Sequence, residues 1–260
     1  MNYLPIDVHC HVTAKNLMNN IIDLERNNDI QSIFLLPTYF PKKGNGVSNF
    51  RLYHNIKDKN KFKMYLSLDF SYFWMYYNEM IELLDDDRDK IVGIKIYTGY
   101  QDNIDLESKE MNLILELAAK YDLPIMFHTG YTKGDSRHNI YYCSKLIDLI
   151  ENSPKNKFIL AHLSNPSTND LINMMNTFDN VYTDISGLME DSERFDENDR
   201  DLFMHVFNSV DKTKILYGSD YPVQTHEQTN KLLDLLSEED KNLIKYGNAM
   251  KLFKVNYEKF

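Results

Sequence analysis

The chain is poor in cysteine and lacks both a long apolar run and an excess of basic residues. With two cysteines in 260 residues, Cys10 and Cys143, it cannot build a disulfide framework, which indicates a reducing compartment. The N-terminus has neither the basic nor the apolar segment that directs secretion, so we expect a cytoplasmic protein. No stretch approaches roughly 18 uninterrupted apolar residues, which argues against a membrane span. Lys and Arg number 29 against 39 Asp and Glu, for a net charge of -10, which argues against a nucleic-acid partner.

The sequence also lacks a linker, a low-complexity segment or a block of like charges that would divide it into domains. Its 43% apolar and 26% charged residues are ordinary for a globular protein, and its length allows one large domain or two small ones. What recurs is a short apolar run of β type followed by an amphipathic stretch of helical type. Eight runs are predicted as strands: Ile6–His11, Ser32–Pro37, Phe62–Leu68, Ile91–Tyr97, Pro124–His128, Phe158–Leu163, Val181–Ile185 and Lys214–Gly218.

This alternation of strands and helices predicts parallel βαβ units. Eight units in 260 residues give about 32 residues each, close to the size of a typical (β/α)8 barrel. A doubly wound open sheet is the alternative, but it usually has a Gly-rich turn after its first strand, where this chain has Val12-Thr13-Ala14-Lys15. We therefore predict an α/β fold, a (β/α)8 TIM barrel, formed as a single domain over residues 1–260.

Active sites of such barrels lie at the carboxyl ends of the strands, and alternate residues of each strand face the interior. On the first strand, Asp7, His9 and His11 share one face, while Ile6 and Val8 share the other. Two imidazoles two residues apart can bind one cation. A lone His-x-His pattern is, however, equally compatible with a pair of surface histidines.

Three other strand ends each carry a side chain suited to metal binding or to acid–base chemistry: His128 on the fifth strand, His162 on the sixth and Asp220 on the eighth. One such residue alone would be weak evidence for a functional site, because a lone histidine is more often structural. Together with the first strand, four strand ends favour a common site. Imidazole and carboxylate ligands suit Zn²⁺, Mn²⁺ or Fe²⁺.

The fourth strand places a lysine inside the predicted barrel. Simple alternation sends Val92 outward and Gly93, Lys95 and Tyr97 inward. A buried lysine is costly unless it is neutralised or paired. Three interpretations are open: an ion pair with a carboxylate such as Asp184, binding of an anionic substrate, or carbamylation that bridges two metal ions.

Substrate specificity is expected in the loops that follow the strands. Besides Lys95, the candidate anion-binding residues are Arg51, beyond the loop after the second strand, and Arg137, in the loop after the fifth. An arginine can hold a substrate carboxylate through two parallel hydrogen bonds, although a solvated charge on a mobile loop is the alternative. Tyr97 and Tyr221 are expected at the mouth of the pocket.

For some residues the sequence allows two roles, and for others it suggests none. Asp7 could orient the imidazole of His9, or it could be a core carboxylate bonded to the backbone, and Asp184 has the same ambiguity. The aromatic run of residues 72–77 is predicted to be core or a subunit interface. Three histidines match no motif and receive no role: His54, His205 and His226.

Taken in chain order, these motifs resemble the amidohydrolase superfamily. They are the segments of residues 6–11, 93–95, 128–130, 161–163, 181–187, 218–222 and 248–253. The resemblance runs from about Ile6 to about Phe253. It is closest to the amidohydrolase-related branch (amidohydrolase 2) of TIM-barrel metal-dependent hydrolases, which also contains metal-dependent decarboxylases.

The resemblance implies four metal ligands, His9, His11, His128 and Asp220. It implies that His162 is a second-metal ligand or a catalytic imidazole that contacts the substrate. Because the metal is usually single in this branch, we expect one divalent ion, with Zn²⁺ preferred over Mn²⁺ or Fe²⁺. A second ion bridged by carbamylated Lys95 is the less favoured alternative.

The expected activity is hydrolysis of an amide, ester or lactone bond in a small carboxylated molecule by a water that the metal activates. Asp220 would transfer the proton, and His162 would contact the carbonyl oxygen. The alternative on the same scaffold is a decarboxylase, a lyase acting on an aromatic or enol carboxylate. A barrel that binds a ligand without turnover is a third class, which the complete ligand set disfavours. The expected partner is a small-molecule substrate, with no nucleic acid and no membrane, and a homo-oligomer is left open.

Overall fold

Eight parallel strands form one sheet in a computed structural model that describes residues 3–37, 46–101, 103–133, 138–188 and 197–256. In spatial order the strands are β1 (Ile6–Val12), β2 (Ser32–Pro37), β3 (Phe62–Ser67), β4 (Ile91–Ile96), β5 (Ile125–Phe127), β8 (Phe158–Leu160), β9 (Val181–Asp184) and β10 (Ile215–Leu216). They coincide with the eight predicted runs, whose ends they match within a few residues. A short antiparallel hairpin, β6 (Gly130–Lys133) and β7 (His138–Tyr141), was not predicted.

Backbone hydrogen bonds from β1 to the segment around β10 close this sheet into a barrel. The Val8 amide donates to the Tyr217 carbonyl at 3.0 Å, and the Asp220 amide donates to the His9 carbonyl at 2.8 Å. The His11 amide donates to the Tyr221 carbonyl at 2.7 Å. The predicted (β/α)8 barrel is therefore confirmed, and the open-sheet alternative is wrong.

Helices follow the strands and cover the outside of the barrel. They are α1 (Leu17–Arg26), α2 (Asn49–Ile56), α3 (Phe73–Asp86), α4 (Lys109–Tyr121), α5 (Ile147–Glu151), α6 (Thr168–Thr177), α7 (Glu197–Ser209), α8 (His226–Leu233), α9 (Glu238–Asn242) and α10 (Asn248–Phe253). Within the described part of the chain, none of them has the length and apolar character needed to cross a membrane.

Two separate apolar clusters fill the molecule, and together they show which way each strand residue points. The outer cluster lies between strands and helices and contains Cys10 and Val12. The inner cluster fills the lower half of the barrel, and α10 contributes to it through Ala249 and Leu252. Its strand members are Ile6, Val8, Phe34, Leu36, Tyr65, Val92, Met126, Ile159, Ala161 and Leu216.

A bulge in β1 corrects the simple alternation predicted for that strand. Asp7 pairs with Ile33 and Cys10 pairs with Leu35, so three steps along β1 match two along β2. Val8 and His9 consequently both point into the barrel, and Asp7 points away from its interior. The prediction that Asp7 shares a face with His9 and His11 is wrong, because an inserted residue reverses the parity of everything before it.

A second irregularity lies in β4, where Met64 pairs with Ile91 and Tyr65 pairs with Gly93. Val92, predicted to face outward, is the extra residue and packs in the inner cluster. Gly93 is also inside, where a Cβ would lie 2.6 Å from Cε1 of Tyr65. The glycine therefore makes room for the tyrosine ring.

Candidate metal centre

Three of the four predicted ligands meet at the carboxyl end of β1. The Nε2 atoms of His9 and His11 lie 3.1 Å apart. Oδ1 of Asp220 is 3.0 Å from Nε2 of His11 and 3.6 Å from Nε2 of His9. His9 and His11 point to the same side of β1, and the barrel closure between His9 and Asp220 brings the carboxylate to them.

The two remaining histidines adjoin this group. His162 belongs to a compact set with His9 and Asp220, in which one donor atom from each residue lies within 4.8 Å of the others. Its Nε2 is 3.2 Å from Nδ1 of His128, the fourth predicted ligand. Four imidazoles and one carboxylate, drawn from four strand ends, thus converge on one small volume.

Local backbone conformation explains how two of these side chains reach the centre. His162 and Asp220 are not glycines, yet both have left-handed φ values, 62° and 61°. Gly187, with φ of 62°, has no side chain to compete with them for the neighbouring space. A Cβ at that position would lie 2.8 Å from Oδ2 of Asp220 and 2.9 Å from Nδ1 of His162. A side chain at position 187 would therefore displace both groups.

Hydrogen bonds assign the tautomer of three imidazoles. Nδ1 of His9 lies 2.9 Å from Oδ2 of Asp184, and since a carboxylate only accepts, Nδ1 carries the proton. Nε2 of His128 likewise donates to the Tyr131 carbonyl at 3.0 Å, and Nδ1 of His162 donates to the Ser186 carbonyl at 3.1 Å. Each ring therefore directs the lone pair of its other nitrogen toward the centre.

Burial keeps these rings neutral at pH 7. It lowers the pKa of His9 from 6.5 to about 4, and the charge of Lys95 adds to this effect. Burial also lowers the pKa of His128 and of His162. As a result, the lone pairs of His128 Nδ1 and His162 Nε2 face each other at 3.2 Å, an unfavourable arrangement unless a cation lies beside them. Neutral imidazoles held in this way are the form that binds divalent metals, so the donor set fits such an ion.

The two carboxylates supply the compensating negative charge. Burial acts to raise the pKa of Asp184, but the nearby His9 outweighs it and holds that pKa below its usual range. Burial has the same tendency at Asp220, where the hydrogen bond with His11 outweighs it and lowers the pKa. Both groups are therefore ionised at neutral pH.

Lys95 is fully buried inside the barrel, and its Nζ has no hydrogen-bond partner among the described residues. It lies 5.4 Å from the ring centroid of Tyr97. Burial lowers the pKa of Lys95 to about 8, although Asp184 and Asp220 partly oppose the shift. Of the three open interpretations of Lys95, the ion pair with Asp184 does not form in the structure. The Asp184 oxygens accept instead from His9 and from the backbone amides of His162 and Ser186.

The structure separates the other predicted substrate-binding residues. Tyr97, which was expected at the mouth of the pocket, is buried at 2% exposure. Its hydroxyl donates to the Pro37 carbonyl at 2.9 Å and lies 3.4 Å from Nδ1 of His11. Arg51 lies on α2 and is exposed. Arg137 falls outside the described residues.

Sequence reasoning missed one aromatic neighbour of the histidines and did not foresee the contact made by another. The ring of Tyr100 lies 4.8 Å from that of His128, edge to face. Tyr221, which was expected at the mouth, is half-buried and stacks on His226 with ring centroids 6.2 Å apart. Neither contact follows from a motif, since both depend on the course of loops beyond the strand ends.

Comparisons with known proteins agree with this geometry. A sequence profile described as "Amidohydrolase" matches residues 78–255. A probable 2-pyrone-4,6-dicarboxylic acid hydrolase from Acinetobacter baumannii, with citric acid bound, is 14% identical, with a TM-score of 0.73 over 97% of this chain and 100% of the other. No curated protein matches the sequence significantly.

Two further solved structures are similar over almost their whole length. A dihydroxybenzoic acid decarboxylase from a Polaromonas species, with bound manganese and the inhibitor 2-nitroresorcinol, is 14% identical with a TM-score of 0.66, covering 100% of this chain and 99% of the other. A putative amidohydrolase from Staphylococcus aureus is 18% identical with a TM-score of 0.66, covering 97% and 100%. At such identities these likenesses establish a shared fold.

Proposed function

Because the chain belongs to the amidohydrolase family, we propose that it is a metal-dependent hydrolase that cleaves an amide, ester or lactone bond in a small carboxylated molecule. One observation carries the proposal. Neutral imidazoles of His9, His128 and His162 direct lone pairs toward a common point beside the ionised Asp220.

The residues that would hold the ion are His9, His11, His128 and Asp220. We add His162 to this set, because its Nδ1 donates to the Ser186 carbonyl and its Nε2 therefore carries a lone pair. A nitrogen in that state suits a metal ligand better than a donor to a substrate oxygen. A bound divalent ion, Zn²⁺ before Mn²⁺ or Fe²⁺, would act as a Lewis acid and make water a nucleophile near neutral pH.

The chain's own groups would handle the proton and the substrate. Asp220, which is ionised, would accept the proton of the attacking water and return it to the leaving group. Lys95 would bind the substrate carboxylate, since an ammonium buried without a partner is stabilised when an anion enters. Arg51 and Arg137 remain proposals for a second anionic group.

A decarboxylase acting on an aromatic or enol carboxylate is the second candidate. It is supported by the rings of Tyr97 and Tyr100, which lie beside His11 and His128 and make the surroundings of the site aromatic. Lys95 would hold the substrate in either reaction. Function depends on the site and not on the barrel, so the two reactions must be separated by assay.

The test combines metal content with a substrate panel. Zn, Mn and Fe are measured by elemental analysis in the wild type and in a His9→Ala, His11→Ala double variant, after both are loaded and desalted. We expect metal in the wild type and loss of it in the variant; equal metal content in both would contradict the site.

Lactones, esters and acyl amides are assayed for acid release beside carboxylated aromatics assayed for CO₂. Release of CO₂ without any hydrolysis would overturn the hydrolase in favour of the lyase.

We also propose a cytoplasmic location, supported by two buried cysteines that are both free thiols. A small-molecule substrate fits a pocket formed at strand ends. A homo-oligomer remains a hypothesis that size-exclusion chromatography with light scattering would test.

A further inference from the structure

Asp7 lies outside the barrel interior and accepts four hydrogen bonds while completely buried. Its Oδ1 accepts from the backbone amides of His9 and Ser219, each at 3.0 Å. Its Oδ2 accepts from Oγ of Ser219 at 2.6 Å and contacts Nε2 of His226 at 2.8 Å. Both oxygens of one carboxylate are thus bonded to β1, to the end of β10 and to the start of α8.

The tautomer of His226 follows from its second contact. Nδ1 lies 3.1 Å from Nδ2 of Asn27, an amide nitrogen that only donates, so Nδ1 accepts and Nε2 carries the proton. Nε2 of His226 therefore donates to Oδ2 of Asp7. The imidazole is 7% exposed, and Tyr221 stacks on it with an interplanar angle of 11°.

These bonds hold the two strand ends that carry the proposed ligands. Asp7 bonds the amide of His9 itself, and Ser219 immediately precedes Asp220. Oγ of Ser219 also accepts from the Tyr221 amide at 3.0 Å, so the backbone is bonded on both sides of Asp220. Asp220 has a left-handed φ of 61°, a conformation that costs energy in a residue other than glycine and needs such support.

We propose that Asp7 and His226 are positioning residues that fix Asp220 against His9 and His11 and thereby set the affinity of the metal site. This inference rests on the proposed metal binding. Neither residue touches the ligand side chains, so both act through the backbone of β1 and through Ser219. The spacing of 3.0 Å between Asp220 Oδ1 and His11 Nε2 is the quantity they control.

The test measures metal affinity and ligand field in metal-stripped protein reloaded with Co²⁺. The variants are His226→Leu, which removes the donor, and His226→Gln, whose amide can donate in its place. Ser219→Ala, which removes one bond to Asp7, serves if His226→Leu fails to fold. Met174→Ala, a buried truncation on α6 away from the site, is the control for a general loss of stability.

We expect His226→Leu to weaken Co²⁺ binding by on the order of tenfold, as loss of groups that orient metal ligands typically does, and to alter the visible Co²⁺ spectrum. His226→Gln should recover part of both, and Met174→Ala should lower the Tm and leave affinity and spectrum unchanged. Wild-type affinity and spectrum in both His226→Leu and Ser219→Ala would overturn the inference. A wild-type protein that binds no Co²⁺ would overturn the proposed function instead.

Discussion

At the level of single residues, hydrogen bonds determine which atoms of the proposed metal centre are free to bind a cation. Asp184 is the strongest case, because its Oδ2 fixes the proton on Nδ1 of His9 while its Oδ1 accepts from two backbone amides. One carboxylate therefore both orients a ligand and positions the turn that carries His162.

We predict that Asp184→Asn weakens metal binding by on the order of 10–100-fold. The oxygen of the new asparagine would still accept from the two backbone amides, so its NH₂ group would face Nδ1 of His9. Because that NH₂ group only donates, His9 would have to adopt the other tautomer, with its proton on Nε2. The dissociation constant is measured by competition with a chelator. Asp211→Asn, which affects a carboxylate that caps the turn before β10, is the matched control and should bind metal normally. Unchanged affinity in Asp184→Asn would refute this role.

Lys95 gives a second prediction at this scale. Lys95→Met should lower kcat/KM for a carboxylated substrate about 10–100-fold, the equivalent of roughly 1.5–3 kcal/mol for a hydrogen bond to a charged group. In the wild type the ammonium is present below a pKa of about 8 and is lost above it, so KM should rise as the pH passes through about 8.

The control for this prediction is Lys90→Met. Lys90 is also buried, but it lies at the opposite end of β4 and donates to the carbonyls of Lys59 and Phe62. Its loss should reduce stability and leave KM unchanged. Activity that depends on added bicarbonate would point to carbamylated Lys95 instead.

Residue-scale prediction from the sequence reached the residues whose motif fixes their place in the fold. His9, His11, His128, His162 and Asp220 were predicted to stand at the carboxyl ends of strands, and the structure brings them close together there. Their role as metal ligands stays a prediction. Asp7 and His226 could not be paired, since 219 positions separate them and helix α8 gives no local signal of the contact. Contacts of this kind depend on how helices pack on the barrel.

At the level of elements, the eight strands were predictable because each is a short apolar run. The bulges in β1 and β4 were not, because an extra residue leaves no mark on a run in which almost every position is buried. Asp7 and Val92 were consequently assigned to the wrong faces. The hairpin of β6 and β7 was missed because it lies within a polar stretch that resembles a loop.

The β4 irregularity leads to a third prediction. Gly93→Ala should destabilise the protein by roughly 1–3 kcal/mol, since the new Cβ would lie 2.6 Å from the Tyr65 ring and 2.8 Å from the backbone oxygen of Pro124. Gly247→Ala is the control, because the nearest atoms lie 3.6 Å away and no strained φ is needed. Urea unfolding should show the control to be neutral or stabilised by about 0.4–1 kcal/mol. Equal effects of the two substitutions would argue against crowding at position 93.

At the level of the whole molecule, the proposed metal site ties together strands that are distant in sequence. We predict that saturating metal raises the Tm, because a ligand that binds only the folded state stabilises it by about 2.7 kcal/mol at 100 times its Kd. For a chain of this length the shift is roughly 5–10 °C. The His9→Ala, His11→Ala variant should show no shift in the same calorimetric scan. A shift of equal size in that variant would locate the metal elsewhere.

The inner apolar cluster determines from which end of the barrel substrate can enter and product can leave. Because side chains fill the lower half of the barrel and α10 covers its base, the described residues leave the carboxyl ends of the strands as the approach to the metal centre. We expect substrate and product to use that end of the barrel and to occupy the same site. Because bound product then blocks the binding of substrate, product inhibition should be competitive in steady-state kinetics.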